Sequence, residues 1–386
     1  MFKRILAFML TVICMLSGFA GCGKNKEKNP LDTDAPPATF ENTPIEVKPN
    51  TTNYEVPVPE ELKYDISFDE YITLPDITSL KLNYHTMPTD DTAINNQIYN
   101  LQLQKAKRTE ITDRPAAESD VVTVNYKSVF YGTEQQISDQ KNVEISLGKH
   151  IAIPALEDAI IGMVKGETKT ADIVYPENYA GNTILANSKA TFTIELIKIE
   201  TAELPELNEE TIKSFQLGGV TTYEELRAYV LAWMEQENSL YKQDALYNTL
   251  VRDAQLTAMP QAEYNYYIDK FDANSTAAGA SVGETLDGYI ESNFESREAY
   301  EKKREEYAQD NVKKDLVIHC LKERYSVEVT KEEYNLALNV TFKSEAEGLG
   351  ITTIDDFYNK MGESVYKMEL NYQVIQAAAE DVPDKE

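Results

Sequence analysis

Side chains suited to covalent or metal chemistry are few in this 386-residue chain: His85, His150 and His319, with Cys14, Cys22 and Cys320. Neither the HExxH zinc motif nor a phosphate-cradling GK[ST] occurs. His319 and Cys320 are neighbours inside the apolar run Leu316 to Leu321. On a helix such neighbours point in different directions, and no further ligand stands nearby in the sequence. A buried structural cysteine is therefore expected rather than a metal pair. No metal and no cofactor is expected. The work left for such a chain is non-covalent, done by apolar and aromatic walls.

The stretch best built to position such walls is Leu147 to Glu167, LGKHIAIPALEDAIIGMVKGE. It continues an alternating strand, Val143-Glu144-Ile145-Ser146-Leu147, in which every second residue is apolar. Gly148 permits a turn that a β-branched residue would resist. Pro154 then takes a first helical position, where its missing N–H is no loss. Glu157 and Asp158 sit at the favourable end of the helix dipole. Gly162 ends the short helix, and Lys165-Gly166-Glu167 turns the chain into the next strand.

The pattern LGxxxxIPxLEDAIxGMxxGE resembles the centre of the FKBP-type prolyl isomerase domain, most closely the version inside trigger factor. Val121 to Tyr126 resembles that domain's first strand, and Tyr175-Pro176-Glu177-Asn178-Tyr179 its active-site loop. Ala190 to Glu200 resembles its last strand, and Glu203-Leu204-Pro205-Glu206-Leu207 the junction by which trigger factor enters its helical arms. The resemblance runs from about Glu60 to the C-terminus. It implies an α+β multidomain chain. Residues 119–200 would be an FKBP-like antiparallel sheet wrapped on a short helix, and 201–386 an all-α trigger-factor-like chaperone domain. Residues 60–118 would be a strand-and-helix module matching the end of the trigger factor N-terminal domain.

The resemblance also implies an activity. Prolyl isomerisation needs no nucleophile, because its barrier of about 18–20 kcal/mol comes from amide resonance. That barrier falls when the C–N bond twists in a dry pocket that withdraws hydrogen bonds from the carbonyl and holds the proline ring on apolar walls. Carried over by motif, Tyr179 would offer its hydroxyl and Ile153 its backbone N–H to the substrate, between side walls Phe192 and Tyr126. Leu156 would be the floor, with Ile137 and Val143 as further walls. Several positions depart from the family. Leu156 stands where Trp or Phe is usual, Ile137-Ser138 replaces a Phe-Asp pair, Ala155 replaces a Gly, and Ala152 precedes Ile153. Two readings stay open: an isomerase that also binds unfolded chains, or a non-catalytic holdase chaperone whose isomerase domain is degenerate.

Charge and the N-terminal residues bear on location. Sixty-five acidic against 37 basic residues give −28, a balance that repels nucleic acid and suits basic or apolar clients. The same acidity also fits an ordinary solvated helical surface. Lys3 and Arg4 precede an apolar run from Ile5 to Leu16, too short to span a bilayer, so residues 1–21 read as a signal peptide. Phe19-Ala20-Gly21-Cys22 resembles a bacterial lipobox with Phe in place of Leu; the alternative is an ordinary small-residue cleavage site. Acylation at Cys22 would anchor the chain at the extracytoplasmic face of the bacterial cell membrane. Cys320 would then be alone in the mature chain, which excludes an intramolecular disulfide.

Seven of the fifteen prolines fall within 23–59, so 22–59 reads as a lipidated cysteine followed by a coreless tether. As a coil the tether would average about 35 Å. Signal and tether stand where trigger factor carries its ribosome-docking part, so no ribosome contact is expected. The implied partners are unfolded or newly exported polypeptides with Xaa-Pro bonds and, through Cys22, the membrane.

Elsewhere the elements are read from spacing and caps. Short strands are expected at Ile72 to Pro75 and Leu80 to Tyr84, then a helix capped by Thr89 or Asp90 carrying Ile94, Ile98, Leu101 and Ala106. Thr222 with Glu225, Thr330 with Glu333 and Thr353 with Asp356 have capping-box spacing. The first of these opens a helix toward Thr257, and Ser296 to Tyr325 reads as another long helix. Gly279 to Gly288 is expected to be a flexible connection. Exposed tyrosines and methionines on the arms would grip clients, although half-buried tyrosine is equally ordinary on helices. A transporter-coupled solute receptor needs strand–helix alternation in both halves, and the second half offers almost no strands.

Overall fold

The computed structural model describes residues 68–383, apart from 178 and 180–184. The signal, Cys22, the tether and residues 60–67 lie outside the described residues. In chain order the elements are β1 (Ile72–Thr73), α1 (Asp91–Gln104), β2 (Lys107–Glu110), β3 (Val121–Phe130), β4 (Gln136–Ser146), α2 (Pro154–Ile160), β5 (Thr168–Val174) and β6 (Lys189–Glu203). Then come α3 (Glu209–Ser214), α4 (Tyr223–Asp253), β7 (Gln255–Leu256), α5 (Gln261–Ser281), α6 (Leu286–Asn293), α7 (Arg297–Tyr325), α8 (Lys331–Glu345) and α9 (Ile354–Ala379). The described residues form two compact units, 85–238 and 68–84 with 239–383.

In the first unit β6 is the spine of an antiparallel sheet. β3 lies along one side of it, with β4 beyond, and β5 and β2 share the other side. Alternation decides which face is inward: Ala190, Phe192, Ile194 and Leu196 are no more than 1% exposed. The short helix α2 covers that face with Leu156 and Ile160. Its boundaries follow from its ends. Pro154 opens it, and Gly162, at φ +88°, takes the left-handed turn beyond it and donates its N–H to the Ala116 carbonyl at 2.8 Å. Lys169 Nζ on β5 donates to the Ala159 carbonyl at 2.8 Å and ties the helix end to the sheet. On the other flank Asp90 caps α1, accepting from the Ala93 N–H at 2.9 Å, and Arg227 of α4 reaches Asp91 at 2.6 Å.

The second unit is helical, with one addition. β1 pairs antiparallel with β7, Ile72 opposite Leu256, and Ile72 is buried among Leu246, Leu250, Leu316 and Val317. Leu80 to Tyr84 differs from expectation: it alternates but is not strand, since among the described residues no strand pairs with it. Gly279 to Gly288 also differs. It is a tight helix–helix corner in which a Cβ on Gly279 would lie 3.0 Å from Tyr289 Cβ and 3.2 Å from the Glu284 and Thr285 carbonyls. The caps read from the sequence form: Ser296 begins α7, and Thr330 and Glu333 make a reciprocal capping box.

Tyrosines of this unit are mostly half-buried. Tyr267, Tyr300, Tyr334 and Tyr366 are buried, and the exposed large apolar side chains here are Tyr241, Val282 and Leu349. Cys320 is buried and unbridged. The fold is thus α+β, a sheet wrapped on a short helix in one unit and helices in the other.

Candidate functional site

Four rings from three elements make a continuous aromatic run on the helix-side face of the sheet. Tyr126 of β3 stands 5.6 Å from Phe192 of β6, Phe192 6.0 Å from Tyr175, and Tyr175 4.7 Å from Tyr179. The two middle rings are buried and the two end rings half-buried. Strand register explains the assembly: Tyr126 pairs with Ile194 and Ser128 with Phe192, so alternate inward positions of two strands come side by side. Ile137, Ile153 and Leu156 are buried in the same apolar cluster, and Val143 packs against it half-buried. All seven residues named from the sequence for the pocket therefore meet in one cluster. The eighth named residue, Cys22, lies outside the described residues.

The loop leading into α2 presents the backbone. Ile153 is the helix N-cap residue, and its carbonyl accepts from the N–H groups of Leu156 at 2.8 Å and Glu157 at 3.1 Å. Glu157 is fully buried, and its carboxylate turns back to accept the His150 N–H at 3.0 Å and the Ala152 N–H at 3.1 Å. Charge-assisted bonds of this kind hold a loop more firmly than neutral ones. The Ile153 N–H has no hydrogen-bond partner among the described residues. A donor left open beside apolar walls suits a carbonyl supplied by a bound chain.

Two strands of the sheet share a buried hydroxyl pair. Ser128 and Ser138 are 0% and 4% exposed, with their oxygens 2.6 Å apart. They face one another across β3 and β4 where the family resemblance would put a carboxylate. The pair leaves this wall uncharged.

Sequence reasoning assigns no role to Tyr175, to Ser128 or to the Glu157 loop bonds. A signal for Tyr175 is present: Ala171, Ile173 and Tyr175 keep the two-residue alternation of β5 one step past its end. Glu157 reads only as a dipole residue, because a backward reach to residues 150 and 152 depends on the loop's path.

Other features do not add a site. The string Gly279-Ala280-Ser281-Val282-Gly283 fits the letters GxSxG, but it is the end of α5 rather than a strand-to-helix elbow. Its Ser281 hydroxyl donates to the Ala278 carbonyl at 2.7 Å. A shallow surface depression of about 220 Å³ lies between Ile111 to Pro115 and Val164-Lys165, apart from the aromatic run. Its two cations are engaged, Arg114 with Asp120 and Lys165 with Glu110. Among the described residues no His, Cys, Asp or Glu cluster could hold a metal ion, and no helix is long and apolar enough to cross a membrane.

A sheet wrapped on one short helix, with an aromatic run along it and an open N–H at the start of that helix, defines this domain. Residues 112–197 match the family of FKBP-type peptidyl-prolyl cis-trans isomerases. The chain is similar to the trigger factor of Caldicellulosiruptor bescii, 25% identical over 253 residues that cover 64% of this chain and 56% of that protein. It is also similar to the trigger factor of Syntrophomonas wolfei, 23% identical over 339 residues, 87% of this chain and 73% of that one. It thus spans little more than half the length of the first of these relatives. A solved structure of the trigger factor chaperone is 17% identical, covering 81% of this chain and 73% of the other with a TM-score of 0.37. The chain is thus similar to trigger factors over much of its length, and its residues 112–197 match an FKBP-type domain.

Proposed function

We propose that this protein is a membrane-tethered, extracytoplasmic folding factor that isomerises Xaa-Pro bonds and binds unfolded exported chains. The observation that carries the isomerase part is the aromatic run Tyr126–Phe192–Tyr175–Tyr179, which shares one apolar cluster with Ile153 and its open N–H. Apolar rings exclude water from the prolyl amide and hold the pyrrolidine, while the Ile153 N–H and the Tyr179 hydroxyl hold flanking carbonyls. The twisted amide has lost resonance, so its carbonyl needs less hydrogen bonding than the planar form does. A dry wall therefore favours the twisted state over the ground state.

The tether part rests on sequence: Lys3 and Arg4, the apolar run to Leu16, and Cys22 at the close of a lipobox-like stretch. A second reading, a holdase with a non-catalytic domain, is favoured by Leu156 at the floor position and the neutral Ser128–Ser138 pair. Fractionation of cells expressing wild type and Cys22→Ser tests the tether. Wild type in the membrane fraction with the variant released or unprocessed is expected; a variant anchored and processed like wild type would contradict it. Xaa-Pro exchange by the purified full chain separates the isomerase from the holdase.

A further inference from the structure

Helix α2 carries no ring at Leu156, and an aromatic side chain from another element is buried in the same cluster. Tyr175 follows β5 directly and is 3% exposed. Its ring lies between Tyr179 at 4.7 Å and Phe192 at 6.0 Å, so it links the loop wall to the strand wall. Its backbone is held on both sides: its N–H donates to the Ser188 carbonyl at 2.9 Å, and its carbonyl accepts the Asn187 N–H at 3.2 Å. Helix α2 packs against β5, and the Lys169–Ala159 bond holds that packing. Leu156 and Tyr175 are consequently buried in one cluster. A side chain enlarged at position 156 would enter space already filled, which strains a packed core.

We propose that Tyr175 is the floor of the proline site and the positioning residue for the Tyr179 ring, and that Leu156 is small because Tyr175 fills the volume an aromatic residue there would take. This rests on the isomerase reading above. The ligand class is a peptide presenting a pyrrolidine ring, whose C–H groups pack on the Tyr175 face. The ring rather than the hydroxyl does this, so Phe at 175 should serve. The two positions are also coupled: an aromatic residue belongs at one of them and not at both.

The test uses the full chain as wild type, Tyr175→Phe, Tyr175→Leu, Leu156→Phe, and the Tyr175→Leu/Leu156→Phe double variant. Xaa-Pro tetrapeptide exchange gives kcat/KM, peptide titration by NMR gives Kd, and thermal melting followed by circular dichroism checks the fold. Tyr175→Phe should keep the wild-type rate within about two-fold, and Tyr175→Leu should lose about ten-fold with weaker peptide binding. Leu156→Phe should recover most of that loss when combined with Tyr175→Leu. In the wild-type background it should lower the melting temperature without raising the rate. Independent effects in an active enzyme, or a rate gain from Leu156→Phe alone, would overturn the proposal and leave the isomerase reading standing. A wild type that neither accelerates exchange nor binds the peptide would overturn both. Should Tyr175→Leu fail to fold, Tyr175→Phe and Leu156→Phe still decide, since a gain from the latter or a large loss from the former contradicts the assignment.

Discussion

The Glu157 carboxylate accepts the Ala152 backbone N–H at 3.1 Å, closing the loop that delivers Ile153 to the edge of the aromatic run. The other oxygen takes the His150 N–H, so one buried side chain holds two donors of a loop that has no regular structure. Glu157→Ala removes the acceptor of both N–H groups, one on exposed His150 and one on half-buried Ala152, and should cost about 2 kcal/mol. Glu157→Gln keeps one acceptor oxygen and should cost about half as much. Urea unfolding of the two variants checks this, and equal losses would count against the two-bond arrangement.

Asp120 supplies a pH dependence. It is 2% exposed, bonded to Arg114 at 2.6 and 2.8 Å and to the Ala117 N–H at 2.8 Å. Burial pushes its carboxyl up, but the Arg114 guanidinium and the Ala117 N–H outweigh burial and hold it below the usual carboxylate range. A carboxyl whose pKa is lower folded than unfolded stabilises the fold fully above its unfolded value of about 4. That contribution is lost as pH falls through the folded value. Wild type should therefore lose melting temperature more steeply than Asp120→Asn as pH falls below about 4. The variant should be about 2 kcal/mol less stable at neutral pH. Parallel melting curves would contradict this.

Gly279 tests the corner between α5 and α6. Gly279→Ala puts a methyl 3.0 Å from Tyr289 Cβ and 3.2 Å from two backbone carbonyls, none of which can move freely. A loss of about 1–3 kcal/mol is expected despite the better helix propensity of Ala. Increased stability in thermal melting would mean that the corner is loose.

Much of this was legible because it is local. Pro154 and Gly162 mark the two ends of α2, and Thr330 with Glu333 marks the start of α8. Inward alternation on β6 named Phe192 and Ile194 as core. What was hidden depends on partners distant in the chain. Ile72 becomes a strand residue because Leu256 lies opposite it, while Leu80 to Tyr84 alternates equally well and has no such neighbour. Gly279 and Gly283 read as breakers, yet Gly279 is needed for close approach rather than for flexibility. One consequence is measurable: Ile72, 1% exposed within the helical core, should cost about 2–5 kcal/mol as Ile72→Ala. A loss below about 1 kcal/mol by denaturant unfolding would mean that β1 contributes little to that unit.

Turnover of prolyl bonds by the aromatic run and the open Ile153 N–H is measured as cis–trans exchange of an Xaa-Pro tetrapeptide, by NMR with the full-length chain and with Tyr179→Phe. Exchange by wild type should be faster than the uncatalysed rate and reduced roughly ten-fold by loss of the one hydroxyl at unchanged circular dichroism. A folded wild-type chain that leaves the rate at its uncatalysed value would contradict it.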